Sequence, residues 1–286
     1  MKTVLGTRGS ALALAQARIV ADLLPGEIEV QVIRTDGDSS DRPLHELGDG
    51  VFVTALEDAL RAGKIDIAVH SMKDLPTEER EDLVVAAVPT RADPQDVFIT
   101  ASRGGLDSLQ AGGVVGTSSP RRAAFLRCLR PDASTRDIRG NVDTRMRKVH
   151  DGQYDGTILA LAGLRRLGVL INDAEILDGL LWPPAPGQAA LAVQCRADDL
   201  ELRLRLEGID DPPSHLAIRT ERALLRLMGA SCAIPLGVWA RVDAGAIVLD
   251  AALALDGTIV RTSASGRDPD AVAYTAAQGL AAATHA

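Results

Sequence analysis

Aromatic residues are almost missing from this chain, which has three Phe, two Trp and two Tyr among 286 residues. Aliphatic side chains and alanine must therefore build the hydrophobic cores, and a hydrophobic content of 46% is sufficient for this. A chain of this length is too long for one compact core, so we expect two or three domains.

Long apolar runs are missing as well. No segment has the ~18 consecutive apolar residues that a membrane-spanning helix needs. The N-terminal "MKTVLGTRGS" lacks the apolar core and small-residue cleavage site of a signal peptide. We therefore predict a cytoplasmic protein that does not enter a membrane.

Cysteine and histidine are scarce. The three cysteines, Cys128, Cys195 and Cys232, are odd in number and far apart, so no disulfide framework is expected. The five histidines show no spacing typical of zinc ligands, and we predict no metal site. Cys128 and Cys195 lie in apolar runs and are predicted to be buried. Cys232, in "GASCAIPLG", has no apolar periodicity around it and is the candidate for a reactive thiol.

Positive charge is concentrated in one segment of an acidic chain. The net charge of −8 opposes a nucleic-acid-binding function. Residues 121–148 nevertheless have nine basic and three acidic side chains, a local charge of +6 that leaves −14 for the rest. Each arginine alone could be part of a solvated helix face, but their concentration favours a compact anionic ligand.

Two stretches of the sequence share one design, a short apolar strand that ends in Gly-Thr and is followed by a helix. The first is "TVLGT" with the helix "ALALAQARIVADLL", whose predicted N-cap is Ser10. The second is "GGVVGTSSPRRAAFLRCL", with Ser119 as N-cap and Pro120 at the first helical position. The repetition indicates an internal duplication of structure.

A second pair of similar segments follows, "GKIDIAVHSMKDL" and "GQYDGTILALAGLRRL", with Asp66 and Asp155 in register. The chain is therefore predicted to contain two related α/β lobes. In such sheets, ligands bind where strands end and helices begin, and helix N-termini favour anions.

We expect the chain to pass twice between these lobes, at "VPTRADPQDVFI" and at "LLWPPAPGQAALAVQC". The first lobe would comprise residues 1–90 and 190–207 and the second residues 91–189, with a ligand cleft between them. A small third domain over 208–286 would have a helix capped by Ser214 and ended by Gly229, a three-stranded antiparallel meander and a final helix.

Polar side chains able to do chemistry follow the strand of "VHSMKDLP", where Ser71, Lys73 and Asp74 are close together. The alternative interpretation is a polar turn with a surface ion pair. In "TSSPRR", Arg121 and Arg122 at a helix start could hold a carboxylate by paired hydrogen bonds. Further arginines are predicted to converge on the same cleft: Arg8, Arg139, Arg145 and Arg166.

Six motifs, taken in order, resemble the porphobilinogen deaminase family over essentially the whole chain: "GTRGSALALAQA", "HSMKDLPTE", "VGTSSPRRAA", "IRGNVDTR", "YDGTILALAGLRRLG" and "GASCAIPLG". The resemblance implies two lobes like those of type-2 periplasmic binding proteins around a hinged cleft, and a small α/β third domain. It also implies a transferase that joins four porphobilinogen molecules head to tail into hydroxymethylbilane and releases ammonia. Because no long apolar stripe in the sequence demands a partner, we expect a monomer.

The resemblance further implies roles for individual residues. Cys232 matches the cysteine that carries a dipyrromethane cofactor through a thioether, and Asp74 matches the catalytic carboxylate. The residues that match groups around the cofactor are Ser71, Lys73, Thr117, Ser118, Ser119, Arg121, Arg122 and Arg139. Those that match substrate-binding groups are Arg8, Ser10, Phe52, Arg139, Arg145, Arg166 and Gln188.

The sequence departs from the family pattern at three positions. His45 and Asp49 replace lysines that are common before Phe52, and Ala189 replaces the glycine of the usual "GQGA". A ligand-binding protein without catalysis is the main rival interpretation. It accounts for the lobes and arginines but gives no purpose to Asp74 or Cys232.

Overall fold

The computed structural model describes residues 2–34, 53–78, 80–101, 104–171, 174–229 and 234–284. These residues divide into two compact units. Unit 1 comprises Met1–Ala92 and Ala189–Ile218, and unit 2 comprises Asp93–Gln188 and Arg219–Ala286.

The strands in chain order are β1 (Thr3–Thr7), β2 (Ile28–Val32), β3 (Ile67–Ser71), β4 (Leu83–Ala87), β5 (Asp96–Thr100), β6 (Val114–Gly116), β7 (Ser134–Arg136), β8 (Gly156–Ala160), β9 (Glu175–Ile176), β10 (Leu191–Arg196), β11 (Leu236–Asp243), β12 (Ala246–Leu255) and β13 (Thr258–Gly266). The α-helices are α1 (Ala11–Leu23), α2 (Thr54–Arg61), α3 (Pro120–Leu129), α4 (Val142–His150), α5 (Leu161–Arg166), α6 (Leu200–Glu207), α7 (Pro212–Leu227) and α8 (Pro269–Thr284).

Each unit has a five-stranded sheet of the same design. The order is β2-β1-β3-β10-β4 in unit 1 and β7-β6-β8-β5-β9 in unit 2. The first three strands of each sheet are parallel, and the fourth is antiparallel to both of its neighbours. The predicted fold class, two related α/β lobes with a small antiparallel sheet, is confirmed.

The internal repeat extends to single hydrogen bonds. In unit 1 the Asp66 N–H donates to the carbonyl of Val4, and the Val4 N–H donates to Asp66 Oδ2 at 2.9 Å. In unit 2 Asp155 and Val114 make the same two bonds, the second at 2.7 Å. The predicted register of the two aspartates is correct because both tie the start of a strand to its parallel neighbour.

The third sheet, β11-β12-β13, is the predicted antiparallel meander. Its two turns have positive φ at both central residues, +47° and +77° at Ala244 and Gly245 and +47° and +81° at Asp256 and Gly257. Two-residue turns of this kind match the right-handed twist of the strands that they join.

Aliphatic side chains form the core of unit 1, as predicted, with Leu5, Ile67 and Val193 fully buried. Unit 2 concentrates the few aromatics instead, and the rings of Phe125 and Trp182 lie 5.6 Å apart. Cys195 is buried as predicted, and burial raises the pKa of its thiol to about 11. Cys128 is half-buried against the core of unit 2.

The predicted helix starts are correct at α1 and α3, where Ser10 accepts from Ala13 N–H and Ser119 accepts from Arg122 N–H. At α7 the predicted N-cap, Ser214, is wrong. The helix begins at Pro212, and Asp211 accepts from the Ser214 N–H at 3.0 Å. Two prolines fit the first turn because its N–H groups have no partner within the helix.

The end of α7 was predicted correctly, since Gly229 follows it with φ +67°. Within the described ranges, no helix is long and apolar enough to cross a membrane. The same residues contain no group of three His, Cys, Asp or Glu side chains that could hold a metal ion.

Candidate active site

The acidic candidate of unit 1 lies in a turn at the end of β3. Ser71 ends the strand, and Met72–Asp74 form one turn of 3-10 helix. The Met72 side chain is buried against Val88 and anchors this turn, whereas Lys73 and Asp74 are exposed. The Asp74 carboxylate is therefore presented to solvent on a backbone that the core holds in place.

A glutamine that the sequence did not predict supports this turn. Gln16, on the buried face of α1, donates from Nε2 to Ser71 Oγ at 2.8 Å. The available signal was a polar residue among the apolar, core-facing positions of the helix. The same end of the sheet carries Ser10, whose hydroxyl caps α1, and the half-buried Arg8.

Arg8 also acts electrostatically on a buried histidine. Burial is the main cause that lowers the pKa of His70 to about 4, and the charge of Arg8 lowers it further. The His70 Nε2 lies 3.0 Å from Gln194 Oε1, and Gln194 in turn donates to Glu57 at 3.3 Å. The neutral ring is thus held in a buried polar chain directly before Ser71.

In unit 2 the three predicted hydroxyl residues shape the loop before α3. Thr117 Oγ1 accepts from the Ser119 N–H at 3.2 Å, and Ser119 Oγ accepts from the Arg122 N–H at 3.4 Å. Ser118 Oγ donates to the carbonyl of Ile138 at 3.0 Å. These bonds fix the entry of the helix that carries both candidate arginines.

Arg121 and Arg122 point into the protein and share one carboxylate. Asp96 is fully buried, and the two arginines are only 4% and 7% exposed. Arg121 Nη2 donates to Asp96 Oδ2 at 2.5 Å, and Arg122 donates from Nε and Nη2 to the two Asp96 oxygens at 3.2 and 2.7 Å. The sequence did not predict Asp96, although a single acidic residue at the start of the apolar "DVFI" was a signal.

Two more side chains complete what we term the Asp96 cluster, which consists of Asp96, Arg121, Arg122, Trp182 and Gln188. Trp182 Nε1 donates to Asp96 Oδ2 at 3.0 Å, and Gln188 Nε2 donates to Asp96 Oδ1 at 2.8 Å. Burial alone would raise the pKa of Asp96, but Arg121 and Arg122 outweigh it and hold that pKa well below its usual range.

The Asp96 cluster contains more positive than negative charge, because two guanidinium groups face one carboxylate. Burial lowers the pKa of Arg121, although Asp96 opposes this. Arg121 Nε is also buried without a hydrogen-bond partner among the described residues. A buried cation with an unsatisfied donor is suited to an additional anion.

Other predicted arginines of unit 2 extend this positive region. Burial lowers the pKa of Arg145, and the charges of Arg122 and Arg139 lower it further. Burial also lowers the pKa of Arg166, at the end of α5, to about 10. The structure thus brings Arg122, Arg139 and Arg145 into one electrostatic group.

The predicted residues fall into separate sets. Unit 1 contains Arg8, Ser10, Ser71, Lys73 and Asp74, and unit 2 contains the remaining described candidates. Phe52 and Cys232, together with His45 and Asp49, lie outside the described residues.

Comparison with known proteins identifies the family. The family model described as porphobilinogen deaminase, dipyrromethane cofactor binding domain, matches residues 3–204, and that of the porphobilinogen deaminase C-terminal domain matches residues 215–282. The porphobilinogen deaminase of Acidothermus cellulolyticus is 47% identical over 278 residues, which cover 93% of this chain and 84% of that protein. That of Thermus thermophilus is 46% identical over 263 residues, covering 90% and 84%.

Among solved structures, a probable amino-acid ABC transporter extracellular-binding protein from Bacillus subtilis is similar with a TM-score of 0.42 and 13% identity, covering 72% of this chain and 89% of that one. The family models and the curated relatives both span almost the full sequence. The chain therefore belongs to the porphobilinogen deaminase family, whose members polymerise porphobilinogen into a linear tetrapyrrole with the aid of a dipyrromethane cofactor.

Proposed function

We propose that Asp74 is the catalytic carboxylate of this hydroxymethylbilane synthase, that Cys232 attaches the dipyrromethane through a thioether, and that the arginines of unit 2 hold its acid side chains. The observation that carries the proposal is the excess of positive charge within the buried Asp96 cluster. Two guanidinium groups face the single carboxylate of Asp96, and burial together with the charges of Arg122 and Arg139 lowers the pKa of Arg145.

The donor set fits the cofactor chemically. Each pyrrole ring made from porphobilinogen has an acetate and a propionate side chain, so a two-ring cofactor has four carboxylates. Guanidinium groups bind carboxylates by paired hydrogen bonds and remain charged when buried. The unsatisfied Arg121 Nε is a donor that one such carboxylate would satisfy. When bound, the dipyrromethane supplies the pyrrole carbon to which the first substrate is joined.

Asp74 has the chemistry and the position for the reaction on the substrate. Positive charge develops on porphobilinogen as its aminomethyl group leaves as ammonia. A carboxylate beside the pyrrole N–H stabilises this charge and accepts a proton. The buried Met72 and the hydrogen bond from Leu75 N–H to the carbonyl of Met72 fix the turn that presents Asp74.

The other assignments remain part of the proposal. Around the cofactor we place Ser71, Lys73, Thr117, Ser118, Ser119 and Arg139. Around the substrate we place Arg8, Ser10, Phe52, Arg139, Arg145, Arg166 and Gln188. We further propose three domains with the predicted bounds, and a cytoplasmic monomer that binds neither nucleic acid nor membranes. Sedimentation velocity at micromolar concentration tests the monomer.

Intact mass spectrometry tests the attachment of the cofactor. We expect wild-type protein to carry a covalent adduct of two pyrrole units and Cys232→Ser to carry none. Cys128→Ser is the matched control and should retain the adduct, because Cys128 packs against the core of unit 2. Wild-type protein without the adduct would contradict the assignment, and an adduct that survives Cys232→Ser would place the anchor elsewhere.

A further inference from the structure

Asp96 occupies a particular place in the chain. It begins β5, three residues after the chain enters unit 2 at Asp93. Trp182 and Gln188, which both donate to it, belong to the segment that leaves unit 2, and Gln188 is the last residue of that segment. The carboxylate of Asp96, in the entering segment, therefore accepts hydrogen bonds from the leaving segment and from the start of α3.

The hydrogen bonds on Asp96 leave no capacity for proton transfer. Its Oδ1 accepts from Arg122 Nη2 and Gln188 Nε2, and its Oδ2 accepts from Arg121, Arg122 and Trp182. An ionised carboxylate has about four lone-pair sites, so five donors saturate it. Asp96 is thus suited to fixing the position of its partners.

We propose that Asp96 is the positioning residue that sets Arg121 and Arg122 for acid groups of the cofactor, and that it couples occupancy of those arginines to both connecting segments. The identity of the ligand rests on the proposed function, whereas the hydrogen-bond network is a property of the chain. A ligand carboxylate competes with Asp96 for the same guanidinium groups. Because the donors share two oxygens, a change at either arginine alters the bonds of Trp182 and Gln188.

The chain contains a built-in reporter for this coupling. It has only two tryptophans. The indole N–H of Trp182 donates to Asp96 at 3.0 Å, whereas Trp239 lies on β11 with the Arg241 guanidinium 4.5 Å from its ring centroid. Protein labelled with ¹⁵N-tryptophan should give two indole signals, and Trp239→Phe assigns them.

The first test compares these signals in wild-type protein and in Cys232→Ser, with the adduct of each verified by mass. We expect the Trp182 indole signal to differ between loaded and cofactor-free protein and to move when porphobilinogen is added. An unchanged Trp182 signal would overturn the coupling. A wild-type chain without adduct instead contradicts the proposed function, and porphobilinogen alone then serves as the probe.

The second test uses Asp96→Glu, which keeps the charge but moves the carboxylate by about 1.5 Å, one C–C bond. A misplacement of about 1 Å can reduce a rate roughly 100-fold, so we expect cofactor acquisition by the apoprotein to slow by that order. Asp250→Asn removes the carboxylate of another arginine pair, with Arg241 at 2.6 Å, and should acquire the cofactor at the normal rate.

Circular dichroism and thermal unfolding establish that Asp96→Glu is folded. A folded Asp96→Glu that loads at the wild-type rate would overturn the positioning role. If the variant does not fold, the wild-type Trp182 signal decides the question, because that measurement requires no substitution in the Asp96 cluster.

Discussion

At the scale of single residues, similar chemical groups are used in opposite ways. Asp74 is exposed at the end of a strand, whereas Asp96 is buried and saturated with donors. Only the first can reach a substrate. Sequence motifs marked both Asp74 and the arginines, but the inward direction of Arg121 and Arg122 depends on a carboxylate that lies 25 and 26 residues away in the chain.

Replacement of Asp74 by Asn tests its proposed catalytic role. The amide cannot accept a proton or stabilise positive charge equally well, and general acid–base catalysis contributes roughly 10² to 10⁴-fold. We expect kcat to fall within that range, while thermal unfolding stays as in wild type because the side chain is exposed. Asp82→Asn, another exposed aspartate of unit 1, is the control. Near-normal turnover by Asp74→Asn would remove this residue from the mechanism.

The backbone of Ala189 is strained, because its φ is +72°. This residue is the first one after the chain returns to unit 1. Residues with a Cβ are disfavoured in this region, and glycine is not. We expect Ala189→Gly to raise the free energy of unfolding by up to about 1 kcal/mol in urea titrations. The neighbouring Ala190 has no positive φ, so Ala190→Gly should destabilise the protein. Stabilisation by both substitutions would refute the strain argument.

At the scale of secondary-structure elements, the two units show how a duplicated framework can carry different chemistry. The end of β3 and the turn after it have Ser71, Lys73 and Asp74, whereas the corresponding positions at the end of β8 and after it are Ala160, Ala162 and Gly163. Both units retain the strands, their register and the aspartate that bonds two parallel strands, Asp66 in unit 1 and Asp155 in unit 2. The polar side chains at the strand ends are what distinguish the proposed catalytic unit from the proposed anion-binding one.

The polar chain that joins β3, β10 and α2 predicts a pH dependence of stability. Burial lowers the pKa of His70 from 6.5 to about 4, so the native state binds fewer protons than the unfolded state between these values. The contribution of the neutral His70 to the free energy of unfolding is therefore complete above pH 6.5, and it is lost as the pH falls towards 4. At pH 5 the loss is about 2 kcal/mol relative to pH 7.

Urea unfolding at pH 7 and pH 5 measures this effect. The drop in unfolding free energy should be smaller in His70→Asn than in wild type by about 2 kcal/mol. His150→Gln changes an exposed histidine at the end of α4 and should retain the wild-type drop. An identical drop in all three proteins would show that His70 is not the responsible group.

At the scale of the whole molecule, the chain keeps a net charge of −8, while the Asp96 cluster buries two arginines against one carboxylate. We expect repulsion between the two buried guanidinium groups to lower the stability of the protein until a further anion is present. Cofactor binding should therefore raise the free energy of unfolding of the protein, in addition to enabling its activity.

We expect Cys232→Ser, without cofactor, to unfold at a temperature lower by at least about 3 °C than wild type, since 1 kcal/mol corresponds to roughly 2–4 °C at this size. Inorganic phosphate should raise the melting temperature of Cys232→Ser more than that of the loaded wild type. In the variant, the phosphate would balance arginine charge that the cofactor carboxylates balance in the wild type. Differential scanning calorimetry measures both. Equal melting temperatures with and without the adduct would contradict a stabilising role of the bound anion.

The sequence by itself determined the elements and their repetition, because strand periodicity, Gly-Thr strand ends, serine caps and the glycine turns "DAG" and "DG" are local signals. It also supplied Asp74 and the arginines as candidates, since these residue types stand in recognisable motifs. Only the tertiary structure decided which side chains meet. Asp96, Gln16 and Gln194 were not predicted because their partners are distant in the chain, and the cap of α7 was misplaced because the two prolines masked the helix start. A buried charge acquires its role from the groups that desolvate and pair with it, and that environment exists only after the chain has folded.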